Sequence, residues 1–170
     1  MQRLECAFEA KFAGDGQDMA FEGYGAVFGN VDSYGDVIDR GAFKSSLRES
    51  KSTGQWPAML AQHGSMFGGA ENMPIGVWTD LTEDDKGLKV EGRLADTPRG
   101  QEAYTLMKMQ PRPAITGLSI GFVAKRWESR TRPEEPRRTL KEVRLLEVSL
   151  VTFPANEKAR VTSVKTLAEF

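Results

Sequence analysis

The stretch Ile115–Phe122, I-T-G-L-S-I-G-F, decides the fold of this chain. Leu118, Ile120 and Phe122 alternate with Gly117, Ser119 and Gly121, which is the period of a β-strand. One face is apolar; the other is nearly bare and carries a single hydroxyl. Glycine weakens a strand interior unless something approaches the backbone closely, so the pair flanking Ser119 predicts room for a second chain or a substrate. A crowded barrel strand relieved by glycines is the plainer alternative.

Gly117 to Gly121 also spell G-x-S-x-G, the sequence of a nucleophile elbow. That motif needs a helix straight after the serine and a histidine later in the chain. Phe122 to Trp127 continue as strand, and the one histidine, His63, precedes the serine. The spelling is therefore a coincidence, and the stretch is a strand.

Working outward, Leu4 to Phe12 and Phe21 to Phe28 alternate as half-buried strands around a turn at Gly14, Asp15 and Gly16, predicting an opening hairpin. Residues 29–41, G-N-V-D-S-Y-G-D-V-I-D-R-G, hold Asp32, Asp36 and Asp39 but lack the ligand spacing of a calcium loop. They are read as a structural loop, with no metal site. Gly41 to Ser50 predicts a short helix that packs Phe43 and Leu47, and Trp56 to Gln62 a strand that delivers His63 to a glycine-bearing loop. Ile75 to Leu81 and Leu88 to Leu94 pair across T-E-D-D-K-G. Thr97 with Pro98 starts a helix whose buried stripe is Ala103, Leu106 and Met107, stopped by Pro111 and Pro113.

Beyond the Ser119 strand, residues 125–144 carry eight Lys or Arg against four Glu, read as a solvated hairpin tip rather than a contact for an acidic partner. The closing stretch, R-L-L-E-V-S-L-V-T-F-P-A-N from Arg144 to Asn156, places Leu146, Val148 and Leu150 on one face and Leu145, Glu147, Ser149 and Val151 on the other. A glutamate inside so apolar a strand needs a partner. About seven strands with two short helices, and no βαβ alternation, predict a mainly β fold with peripheral helices (α+β). The expected architecture is a closed or nearly closed barrel in a single domain over residues 1–170.

Composition narrows the partners. The formal net charge is −1, which gives no basis for nucleic acid as a partner. No apolar run reaches the ~18 residues that span a bilayer, and the first residues lack a signal-peptide core, so no membrane is expected and a cytoplasm is the expected compartment. A single cysteine, Cys6, excludes an internal disulfide framework and is read as a small packed residue.

Serine is a poor nucleophile unless a base takes its proton, and His63 is the sole imidazole to do so near neutral pH. A subtilisin-like order needs an Asp before His63 and a larger parallel sheet. A chymotrypsin-like order puts the acid where Asp80, Asp84, Asp85 and Asp96 lie in or beside turns. There remains His63, Ser119 and then Glu147, which would orient the imidazole. Backbone N–H groups of Ala155 and Asn156 are the candidate oxyanion donors. A binding component that keeps the barrel without catalysis, and an esterase for small acyl groups, stay open on the residues alone.

Several blocks in order carry a resemblance: G-Y-G-A-V-F-G-N-V-D, D-R-G-A-F, A-M-L-A-Q-H, P-I-G, G-L-K-V-E-G-R-L, G-L-S-I-G-F and L-L-E-V-S-L-V-T-F-P-A-N. The chain resembles the HK97-type prohead (capsid maturation) serine proteases of tailed bacteriophages, whose fold is similar to that of the herpesvirus assemblins. The resemblance implies Ser119 as nucleophile and His63 as general base, with Glu147 where the assemblins use a second histidine. It implies peptide-bond hydrolysis without a cofactor, inside the immature capsid in the host cytoplasm. The implied substrates are the scaffold segment of the major capsid protein, or a separate scaffold, and the protease itself. A homo-oligomer is compatible with it. The chain ends soon after its last strand, which is compatible with a form lacking a C-terminal tail; a non-enzymatic capsid or scaffold binding component is the rival.

Overall fold

The structure, a computed structural model, describes residues 18–65 and 69–165. Its strands are β1 (Ala20–Val27), β2 (Asp36–Ile38), β3 (Ala58–Ala61), β4 (Gly76–Glu83), β5 (Gly87–Leu94), β6 (Gly117–Ser129), β7 (Arg138–Val151) and β8 (Val161–Val164). Two helices, α1 (Lys44–Thr53) and α2 (Pro98–Met107), lie beside them. The predicted strand at Leu4 to Phe12, the opening hairpin and Cys6 lie outside the described residues.

All eight strands join one sheet in the order β2-β7-β3-β4-β5-β1-β8, with β6 on the far edge of β7. Strands β2 and β3 run parallel to β7, and the remaining pairs are antiparallel. The fold is thus mainly β with few helices, as expected, but the barrel is not closed. No ladder joins β8 to β6; the seam is crossed by the isolated bridge Gly117–Arg160 and by the bonds Leu118 N–H to Ala159 C=O and Val161 N–H to Thr116 C=O, at 2.9 and 2.8 Å. The contact stops at that bridge: Arg160 precedes β8, whose four residues pair with β1 instead, with a slip between Glu22 and Gly23.

Local chemistry explains the elements. The β4–β5 turn closes on Asp84, whose Oδ1 accepts the N–H groups of Lys86 and Gly87 at 2.8 and 3.0 Å. Helix α1 has no capping side chain of its own; Glu83 of β4 serves instead, accepting from Gly41 N–H at 3.0 Å and Phe43 N–H at 2.8 Å. Phe43 and Leu47 are buried as predicted, and Gly54, with φ 73°, ends the helix in the left-handed region. In α2, Thr97 caps Gly100 N–H at 3.1 Å, but the buried stripe is Ala103, Tyr104 and Met107, with Leu106 only half-buried.

Strands β6 and β7 form the long hairpin expected of the basic arm, with its tip at residues 130–137. Two of its arginines are ion-paired to a buried carboxylate. Arg137 and Arg138 both bind Asp36, which is 3% exposed, and so staple the arm to β2. The face assignment in β7 also changes. Gly121 pairs with Glu147 but Phe122 with Leu145, so Leu146 is an extra residue, a β-bulge. Leu145 is buried and Leu146 is 46% exposed, the reverse of simple alternation.

Candidate active site

Three neighbouring strands bring polar groups to the same place: β6 carries Ser119, β7 carries Glu147 and Ser149, and β3 leads into His63. The β6–β7 register sets Ser119 opposite Ser149 and Gly121 opposite Glu147, so all four lie on one face, while Leu118, Val148 and Leu150 enter the core from the other. On the other edge of β7, the parallel pairing of Ala61 with Leu150 brings the end of β3 alongside. The chain then turns back: Gln62 and His63 have φ of 53° and 62°, followed by Gly64 at 68°. Two consecutive non-glycine residues in the left-handed region are strained unless the surroundings hold them.

Ser149 and Glu147 do the holding. His63 N–H donates to Ser149 Oγ at 3.2 Å, Ser149 O–H donates to Glu147 Oε2 at 2.6 Å, and Glu147 Oε1 meets His63 Nδ1 at 2.5 Å. The ring of bonds is closed. Since a carboxylate accepts only, Nδ1 carries the proton, and in the neutral imidazole Nε2 has the lone pair. The Glu147 side chain is 12% exposed and that of His63 is 44% exposed. The hydrogen bond that His63 donates to Glu147 raises the His63 pKa above its ordinary 6.5, burial works against this, and the charge of Glu147 adds to the rise.

The space beside the glycines is not vacant. A Cβ on Gly121 would lie 2.3 Å from Glu147 Oε1, and one on Gly117 would lie 2.5 Å from the Val151 carbonyl oxygen and 2.9 Å from Pro154 Cδ. The close approach that two glycines predicted is made by the protein's own β7 and the turn after it.

Ser119 is 4% exposed and has no hydrogen-bond partner among the described residues, where no fully buried side-chain oxygen lacks one; its hydroxyl therefore reaches solvent in the cleft. That cleft, of about 410 Å³, is lined by Ser119, His63, Ala155 and Asn156. The backbone N–H groups of Ala155 and Asn156 have no acceptor among the described residues. The Asn156 side chain is a brace: it accepts from Asn30 Nδ2 at 2.9 Å and Lys158 N–H at 3.2 Å and donates to the Val27 carbonyl at 3.0 Å. Among the described residues no group of three or more His, Cys, Asp or Glu could hold a metal ion. Ser149 is the polar residue that sequence reasoning passed over, although its place two residues from Glu147 on one strand face was legible.

The family model described as "Caudovirus prohead serine protease" matches residues 7–170. The prohead protease of Enterobacteria phage HK97 is 38% identical over 160 residues, 94% of this chain and 66% of that relative, so the chain spans slightly under two thirds of the relative's length. The capsid assembly protease of bacteriophage T4 superposes with a TM-score of 0.60 at 11% identity, covering 81% of this chain and 84% of that one. The KSHV protease, solved with a hexapeptide phosphonate inhibitor, gives 0.56 at 14% identity over 86% of this chain and 64% of that one. At these identities the two structures speak to the fold alone.

Proposed function

We propose a function from one premise: this chain belongs to the family of caudovirus prohead serine proteases. On that premise it is a serine endopeptidase that cleaves scaffold or capsid-protein segments, and itself, within the prohead as the capsid matures. The single observation that carries the reading is the cleft shared by an unpartnered Ser119 hydroxyl and by His63, whose imidazole is bound through Nδ1 to Glu147.

In this reading Ser119 Oγ attacks the scissile carbonyl carbon while His63 Nε2 takes its proton. Glu147 keeps Nδ1 protonated and stabilises the imidazolium that forms. Ser149 fixes the carboxylate by its second oxygen, so that one oxygen remains for the histidine. The free N–H groups of Ala155 and Asn156 are the donors proposed for the developing oxyanion. The imidazolium protonates the leaving amine, and His63 then activates the water that hydrolyses the acyl-enzyme.

Co-expression with the capsid and scaffold proteins of the same phage tests this. Wild type should shorten them, and Ser119→Ala should leave them whole, a loss of at least about 10⁴-fold in rate. Equal processing by both would remove Ser119 from the mechanism and favour a binding component.

A further inference from the structure

Two large rings at the rim of the cleft have no part in the hydrolytic chemistry. Tyr34 is 70% exposed and Phe153 is 90% exposed, and both line the cleft that holds Ser119 and His63. Apolar surface left open to water beside a polar centre marks recognition of an apolar group.

The backbones that carry the rings are held in place. Ser33 N–H donates to the Ala155 carbonyl at 2.9 Å, and Asn30 Nδ2 to Asn156 Oδ1 at 2.9 Å, joining the Tyr34 loop to the Phe153 loop. Arg137 Nε donates to the Tyr34 carbonyl at 2.9 Å from the opposite side. The two rings thus stand on fixed supports, which lowers the ordering cost of binding.

The floor and the charge agree. Ile38, Ile120 and Phe122 also border the cleft and add apolar surface to it. Among the described residues no Lys or Arg lines the cleft, and the carboxylate in its lining is Asp32, whose Oδ1 accepts from Tyr34 N–H and Asp36 N–H, each at 2.9 Å. An acidic side chain would face Asp32 and meet no lysine in the described lining; the cationic groups nearby are His63 when protonated and Arg137, which is already engaged with the Tyr34 carbonyl and Asp36.

We infer that the substrate is a polypeptide whose residue beside the scissile bond is aliphatic or aromatic, seated between Tyr34 and Phe153, and that an acidic residue is rejected there. The inference rests on the hydrolytic reading of Ser119 and adds the class of side chain that the site takes.

The test uses the full chain and synthetic peptides spanning a mapped capsid-protein cleavage site, with Leu, Phe or Glu placed in turn at each position flanking the cut. At one position, wild type should prefer Leu or Phe over Glu by about tenfold or more in kcat/KM. Tyr34→Ala and Phe153→Ala should each reduce that preference severalfold, mainly through KM; both positions are exposed, and thermal melting checks that the variants fold. Equal cleavage of Leu and Glu peptides at every position by wild type, or an undiminished preference in both variants, overturns the inference and leaves hydrolysis standing. A small fluorophosphonate probe on wild type separates the two readings. Labelling at Ser119 supports the hydrolytic one, whereas neither labelling nor cleavage would sink both.

Discussion

Glu147 has two carboxylate oxygens with separate partners, His63 on one and Ser149 on the other. This makes the pH dependence of activity a property of one side chain pair. The proposed base works only when neutral, and its pKa is raised, above all by the Glu147 hydrogen bond. The acid limb of kcat/KM should therefore fall above pH 6.5, the ordinary histidine value. In Glu147→Gln the raising interactions weaken while burial, which lowers the pKa, remains. The limb should move to lower pH as kcat drops by about 10²- to 10⁴-fold. A pH–rate profile of both proteins checks this, and an unmoved limb would detach Glu147 from the histidine. Stability runs the other way. A raised folded pKa contributes stability fully present below the unfolded pKa and lost as pH rises through the folded value, so the pair is most stabilising where the proposed base is protonated and inactive.

At the scale of elements, β7 organises the site because it is paired on both edges. Its partners are β6 with Ser119 on one side and β3 with the His63 turn on the other. The bulge at Leu146 sets which β7 residues face the cleft side, and Gly121 leaves the volume that the Glu147 carboxylate occupies. Ser149, fully buried, is the link between β7 and the left-handed turn. Ser149→Ala removes the acceptor of His63 N–H and the donor to Glu147, at a cost of about 1–2 kcal/mol in stability. We expect kcat to fall about tenfold with KM little changed, and the His63 amide to exchange faster with solvent. A variant destabilised by that amount but with wild-type kcat and pH limb would make Ser149 purely structural.

For the molecule as a whole, the long β6–β7 arm is tied to β2 by strand pairing and by the buried carboxylate of Asp36. Asp36 is buried while Arg137 is half-exposed and Arg138 a quarter exposed, so the three are not an ordinary surface ion pair. Removing both arginines leaves a buried charge unpaired, which should cost about 3 kcal/mol, with Arg138 the larger share because water screens Arg137 more. Denaturant unfolding of Arg137→Ala with Arg138→Ala measures it; adding Asp36→Ala should recover part of the loss, and no recovery would mean that the arginines act by packing alone.

The strand period around Ser119, the Phe43–Leu47 pair, the Thr97 cap, the hairpin of the basic arm and the need of Glu147 for a partner were all legible from the residues, as was membership of the family. They depend on neighbours within a few positions, or on ordered blocks. The open seam at β8, the short parallel strand β2, the bulge at Leu146 and the role of Ser149 were not. Each depends on which strand lies beside which, and in what register. Strand β6 makes the difference plain. Its alternation fixes Ser119 to one face from the letters alone, but what fills the space beside Gly121 is a carboxylate brought by a neighbouring strand, and only the register of β6 against β7 decides that. His63 and Glu147 are 84 positions apart in sequence and 2.5 Å apart in space, a proximity set by the pairing of β3 with β7 and not by any local pattern.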